Sequence, residues 1–220
     1  MSEQTYIPAL RYNWLTRFYD TVLTITFPEK KIKQALIEQA KFTAIEKVLD
    51  FGVGTATLSL MIKKQFPFLN ITGIDVDKNI LAIAAKKANT DVELVQYNGS
   101  HIPLPDAHID KVVSSLVFHH IPTQNKNAVL KEIYRVLKPG GELHIADFGK
   151  ARSIYAKVAF AIFRRLDGEE NTRVNSRGQL PQFIEEAGFK NVEETKYFNT
   201  LFGTIKLIRA VRVHHIVYQK

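Results

Sequence analysis

The chain has no cysteine among its 220 residues. That excludes disulfides, thiolate metal sites and any reaction built on a cysteine nucleophile. No stretch reaches the ~18 consecutive apolar residues that a membrane-spanning helix needs. The start, Met1-Ser2-Glu3-Gln4-Thr5, is polar, with no basic segment ahead of an apolar run. A cytoplasmic protein, peripheral at a membrane at most, is therefore expected. Low-complexity linkers and internal repeats are missing as well. With 45% hydrophobic residues the chain can bury one good core, and one domain (1–220) is expected, with a helical N-terminal cap over 1–45 and a core over 46–220. Acidic side chains are in deficit, since 30 Lys and Arg face 22 Asp and Glu for a formal net charge of +8. Such a balance favours anionic partners. The basic pairs Lys30-Lys31, Lys63-Lys64 and Lys86-Lys87 fall on separate expected helices and no nucleic-acid-reading motif is present, so specific nucleic-acid binding is not expected.

What is present is concentrated in Lys47-Val48-Leu49-Asp50-Phe51-Gly52-Val53-Gly54-Thr55-Ala56-Thr57. Val48, Leu49 and Phe51 form an apolar strand, Gly52 and Gly54 allow a tight turn and close approach of a ligand, and Thr57 to Ile62 opens an apolar helix. The next strand, Asn70 to Asp75, ends in a carboxylate roughly 20 residues beyond the second glycine, where it can accept both hydroxyls of a ribose. Dinucleotides and S-adenosylmethionine (SAM) both suit this arrangement. A dinucleotide fingerprint wants a third glycine where Thr57 stands, and Asp50 at the strand end suits a cationic ligand better than a diphosphate. A bare βαβ turn without ligand remains the alternative.

Along the rest of the chain, Trp14, Leu15, Phe18, Tyr19, Val22 and Leu23 follow helical spacing, and Pro28 with Glu29 opens a second helix through Ile32, Leu36 and Ile37. Strands near 47–51, 70–75, 92–97, 110–117 and 141–147 alternate with helices near 56–66, 78–89, 124–137 and 153–166, the pattern of a parallel sheet covered on both faces. Pro139-Gly140-Gly141 reads as a helix end and a turn into the fifth strand. A helix near 176–187 and two β-rich runs near 191–199 and 203–216 follow.

Four segments, VLDFGVGTATLSL, GIDVD, IPLPDAHIDKVVSSLVFHHIP and VLKPGGELHIADF, fall in the order and spacing of class I SAM-dependent methyltransferases. Over about residues 14–213 the chain resembles the small single-domain group related to the ubiquinone and menaquinone C-methyltransferases. The resemblance implies an α/β fold: a Rossmann-like doubly wound sheet, mostly parallel with an antiparallel C-terminal strand, helices on both faces, and an N-terminal helical cap over the SAM pocket. It places Asp50, Gly52 and Gly54 beside the methionine part of SAM, Asp75 on the ribose hydroxyls, Val76 against the adenine and Asn98-Gly99 at the adenine amino group. Thr55 and Ser115 complete the implied cofactor-binding set, and S-adenosylhomocysteine is the implied product. Two positions depart from the family pattern. Asn98 replaces an acid, although its amide oxygen can still accept. Ala56 stands where many members have glycine, which is tolerable if the backbone there needs no positive φ.

The methyl group of SAM is already activated, so such an enzyme mainly excludes water and aligns the nucleophile. Candidates for further assistance are His119 or His120 after the fourth strand, as general base, and Tyr19 with Asp20 in the cap. The plainer readings are a structural histidine and a core tyrosine. On a regular strand His119 and His120 would point to opposite faces, so a metal site is not expected there or at His214-His215. The segment Ile154 to Arg165 combines an apolar face with cations; it reads as a core-packed helix or as one lying on an anionic bilayer to draw in a lipophilic acceptor. The leading functional expectation is methyl transfer from SAM to C, N or O of a small, lipophilic or aromatic acceptor. The alternatives are an NAD(P)-dependent oxidoreductase, disfavoured by Thr57 in the place of the third glycine, and a SAM-binding protein without turnover.

Overall fold

The computed structural model describes residues 28–43, 45–88, 91–150, 178–200 and 203–213. Helix α1 (Glu29–Ala40) begins behind Pro28 and stops at Lys41, whose φ of 47° is left-handed. After it come β1 (Lys47–Phe51), α2 (Thr57–Gln65), β2 (Asn70–Asp75), α3 (Lys78–Ala88), β3 (Glu93–Gln96) and β4 (Ile109–Ser115). Then α4 (Thr123–Val136) leads into β5 (Leu137–Gly149), and α5 (Leu180–Glu186) precedes β6 (Lys190–Thr200) and β7 (Gly203–Val211). The first cap helix with Tyr19 and Asp20, the helix near 153–166 and the pair His214-His215 lie outside the described residues.

The strands form one seven-stranded sheet in the order β3-β2-β1-β4-β5-β7-β6. Strands β1 to β5 pair in parallel, and β7 runs antiparallel to both β5 and β6. This is the Rossmann-like, doubly wound architecture. Because the chain winds outward from β1 to β3 and then returns to β4, the sheet has a switch point between β1 and β4. Ligands of such sheets bind outside the carboxyl ends of the strands at that point.

Side-chain alternation divides the core in two. Val48, Val113, Ala146 and Phe148 pack with α1, α2 and α3, whereas Leu49, Phe51, Val112, Leu143 and Ile145 pack with α4 and α5. Strands covered on both faces read as nearly continuous apolar runs, which is why Val48-Leu49-Asp50-Phe51 was legible as a strand.

Two expectations change. The second cap helix, α1, is a layer of the fold, since Ile32, Leu36, Ile37 and Ala40 are buried with Val48, Val113 and Ala146. Lys111 of β4 fastens its end, the Nζ donating to Ala40 O at 2.5 Å and Lys41 O at 3.0 Å. Pro139-Gly140-Gly141, in turn, lies inside β5 and not ahead of it. Leu137 already pairs with Ile109, the register then shifts, and Gly140 bends at φ 84° while donating to Arg212 O at 2.6 Å. The partner that keeps this stretch extended sits at the far end of β7, so no local signal announces it. Among the described residues, no helix is long and apolar enough to cross a membrane.

Candidate active site

The carboxyl end of β1 opens into the glycine turn. Gly52 adopts φ 73°, and both its N–H and that of Val53 donate to Ile74 O of β2 at 2.9 Å. A Cβ on Gly52 would lie 2.4 Å from Val117 Cγ2, so Val117, two residues past β4, closes directly over this glycine. Gly54 has φ 54° but faces open space, with nothing within 4 Å of where a Cβ would be. One glycine is demanded by packing and the other borders open space.

Asp75 holds the turn from the neighbouring strand. Its Oδ2 accepts from Gly54 N–H at 2.9 Å and its Oδ1 from Asp77 N–H at 3.0 Å. A carboxylate has about four acceptor sites, so each oxygen keeps capacity for a further donor. Val76 beside it is 56% exposed, and Gly99, at φ 85°, comes within 4.0 Å of Val76 Cγ1 at its would-be Cβ. Thr55 is exposed in the turn, its Oγ1 3.2 Å from Thr57 Oγ1, which also accepts from Lys87 Nζ at 2.8 Å. Side chains thus crowd the opening of α2, where a dinucleotide fingerprint would need glycine. Across the switch point, the Ser115 hydroxyl is buried and has no hydrogen-bond partner.

Asp50 sits deeper. It is 1% exposed and accepts a 2.6 Å hydrogen bond from Ser59 Oγ of α2. Burial pushes its carboxyl up to about 6, against the lowering effect of that hydrogen bond. Two other positions answer differently from expectation. Ala56 adopts φ 60°, so the condition set for tolerating alanine is not met. Its methyl is fully buried in the core, and that burial, worth ~0.8 kcal/mol, offsets part of a left-handed cost of ~1–2 kcal/mol. Asn98 Oδ1 already accepts from Ser100 N–H at 3.0 Å, Ser100 Oγ at 3.0 Å and His101 N–H at 2.9 Å. Its oxygen therefore shapes its own loop.

The histidines differ most from the expected geometry. Strand β4 stops at Ser115, Leu116 turns left-handed at φ 60°, and Phe118–His120 form a short 3-10 turn. His119 and His120 consequently do not oppose each other; their ring centroids are 3.9 Å apart. His119 is 6% exposed, with Nδ1 3.0 Å from Asp147 Oδ1. Asp147, which the sequence reading did not single out, was detectable as a lone carboxylate inside the apolar strand HIADF. Among the described residues, no three His, Cys, Asp or Glu side chains group as a metal site.

A methyltransferase domain family matches residues 48–141. A demethylmenaquinone methyltransferase of Listeria welshimeri is 35% identical over 181 residues, covering 70% of this chain and 76% of that relative. The chain belongs to the class I SAM-dependent methyltransferases. A demethylmenaquinone methyltransferase of Thermus thermophilus is 31% identical over 143 residues, 64% of this chain and 62% of that enzyme, so the match spans less than two thirds of its length. Among solved structures, a SAM-dependent methyltransferase from Aquifex aeolicus aligns with a TM-score of 0.65 at 20% identity, over 88% of this chain and 98% of its own. Phosphoethanolamine N-methyltransferase 2 of Haemonchus contortus, in complex with S-adenosyl-L-methionine, aligns with a TM-score of 0.67 at 15% identity over 96% and 61%. These two share the fold.

The cofactor of this methyltransferase is SAM, and the residues present fit it. The turn is open at Gly54, Asp75 retains acceptor capacity beside the opening, and the Ser115 hydroxyl lacks a partner. Bound SAM supplies an electrophilic methyl group on a sulfonium. The buried Asp50 carboxylate sets a price in the free methyltransferase. Its folded value, near 6, exceeds the unfolded 3.8, so the folded state takes up the proton first. Stability from this group is fully present below pH 3.8 and is lost as pH rises through about 6. At 1.36 kcal/mol per pKa unit, Asp50→Asn is expected to stabilise the free protein by roughly 2–3 kcal/mol at pH 7. Urea unfolding at pH 7 and below pH 4 checks this: the gain should vanish in acid, and a gain independent of pH would contradict it.

Proposed function

We propose that this methyltransferase places the SAM methyl group on a ring carbon of a lipophilic hydroquinone, by in-line displacement. The observation that carries the reading is the match to demethylmenaquinone methyltransferases, one of them 35% identical over 70% of this chain. Within the site, Gly52, Gly54 and Thr55 cradle the methionine part, with Asp50 beneath them. The Asp75 carboxylate accepts from the ribose hydroxyls, Val76 and Gly99 border the adenine, Asn98 lies at its edge, and Ser115 hydrogen-bonds the cofactor across the switch point. A net charge of +8 supports transient contact with an anionic membrane surface, where such an acceptor resides, by a cytoplasmic protein peripheral to it.

Incubation with radiolabelled SAM and a prenylated naphthohydroquinone lacking the ring methyl should put label in the lipid phase, with mass spectrometry placing it on carbon. Label confined to aqueous metabolites would remove the lipophilic acceptor. Stoichiometric SAM binding without transfer to any acceptor would leave a binding protein.

A further inference from the structure

The turn that carries His119 is held by buried charges of both signs. On its amide side is Asp147, fully buried in β5, whose Oδ2 accepts from Val117 N–H at 3.1 Å and Phe118 N–H at 2.7 Å. The other oxygen accepts from Phe148 N–H at 2.7 Å and meets His119 Nδ1 at 3.0 Å. Burial alone would raise this carboxyl, yet the charge and hydrogen bond of His119 hold it below the usual carboxylate range. An ionised carboxylate is acceptor-only, so Nδ1 donates to it, and whenever the ring is neutral the lone pair is on Nε2. On the carbonyl side is Lys126 of α4, also fully buried, whose Nζ donates to Phe118 O and, at 2.8 Å, to Ile121 O.

Burying an anion and a cation around three residues is costly when backbone hydrogen bonds could close the turn. Leu116, strained at φ 60°, adds to that cost immediately before the turn. The site of this outlay adjoins the cofactor turn, because Val117 packs on Gly52. Phe148 meets the His119 ring edge-on at 5.0 Å and keeps one side apolar.

We propose that His119 is the general base that ionises a hydroxyl of the acceptor, with Asp147 and Lys126 as the residues that position it. This rests on the hydroquinone reading above. The acceptor O–H bond breaks, its proton moving to Nε2 and its electron pair staying on the acceptor. The ring carbon bonds to the methyl group as the methyl–sulfur bond breaks, with that pair leaving on sulfur. The carbon then loses its own proton to water, the ring regains aromaticity, and the oxygen recovers the proton from His119, so one proton is released per methyl group.

The test uses the full chain, labelled SAM and ring-substituted naphthohydroquinones whose hydroxyls range from neutral to ionised at the assay pH. His119→Asn should lose at least about 100-fold in kcat with the neutral probes and stay within about tenfold of wild type with the ionised ones. Calorimetric SAM affinity should not change. Asp147→Asn should favour the wrong imidazole tautomer and reproduce the same dependence on probe, and Lys126→Met should lower kcat more than it changes KM. If a variant does not fold, the wild-type pH–rate profile decides: its acid limb should be present with neutral probes and absent with ionised ones. A loss equal across all probes, or an acid limb indifferent to probe ionisation, overturns the assignment while leaving the acceptor reading intact. Absence of transfer from wild type to every probe overturns both.

Discussion

Asp75→Ala is expected to weaken SAM binding by about 100- to 1000-fold. Each carboxylate oxygen already accepts one backbone N–H, from Gly54 and from Asp77. A carboxylate has about four acceptor sites, so two remain for the ribose hydroxyls proposed to bind there. Hydrogen bonds to a charged group contribute about 1.5–3 kcal/mol each, and two that share one carboxylate are not fully additive. A combined loss of ~3–4 kcal/mol corresponds to the stated range. Alanine also releases the Gly54 amide, so the cradle loosens together with the ribose contact. Calorimetric titration with SAM and with S-adenosylhomocysteine, on protein shown to be folded by thermal unfolding, measures the effect. Affinity within threefold of wild type would remove Asp75 from the ribose.

The parts legible in the sequence were those fixed by short-range physics. Gly52, Gly54 and Asp75 could be read because an apolar strand, a positive-φ turn and a strand-end acid each leave a local mark. The parts that escaped depend on partners distant in sequence. Nothing near Ser115 says that β4 stops there; Leu116 is held by Ala146 O and the next two amides by Asp147, all on β5. The histidines therefore leave the strand and stack on one side. The same holds for Gly140, bent by its bond to Arg212, and for α1, whose amphipathic pattern gave a helix but not the sheet face that it covers. Ala56 was misjudged for another reason. Alanine is disfavoured at positive φ, and the core that buries its methyl group and offsets part of that cost is assembled from several elements.

The two glycines of the turn should separate stability from binding. Gly52→Ala is expected to cost about 2–5 kcal/mol, from ~1–2 kcal/mol of left-handed strain and ~1–3 kcal/mol of overpacking. Its Cβ would lie 2.4 Å and 2.7 Å from the two γ-carbons of Val117. Val117 cannot readily retreat, because its N–H is bonded to the buried Asp147 and the next residue is bonded there too. Gly54→Ala carries the same kind of strain at φ 54° with no clash, so it should cost only ~1–2 kcal/mol while placing a methyl group in the open space proposed for the cofactor. Urea unfolding should therefore rank Gly52→Ala well below Gly54→Ala, and SAM titration should show Gly54→Ala losing affinity despite its near-native stability. Adding Val117→Ala to Gly52→Ala should recover ~1 kcal/mol or more, the coupling expected of residues in contact. Equal stability of the two glycine variants, or no recovery in the double variant, would mean that Val117 does not hold the turn closed.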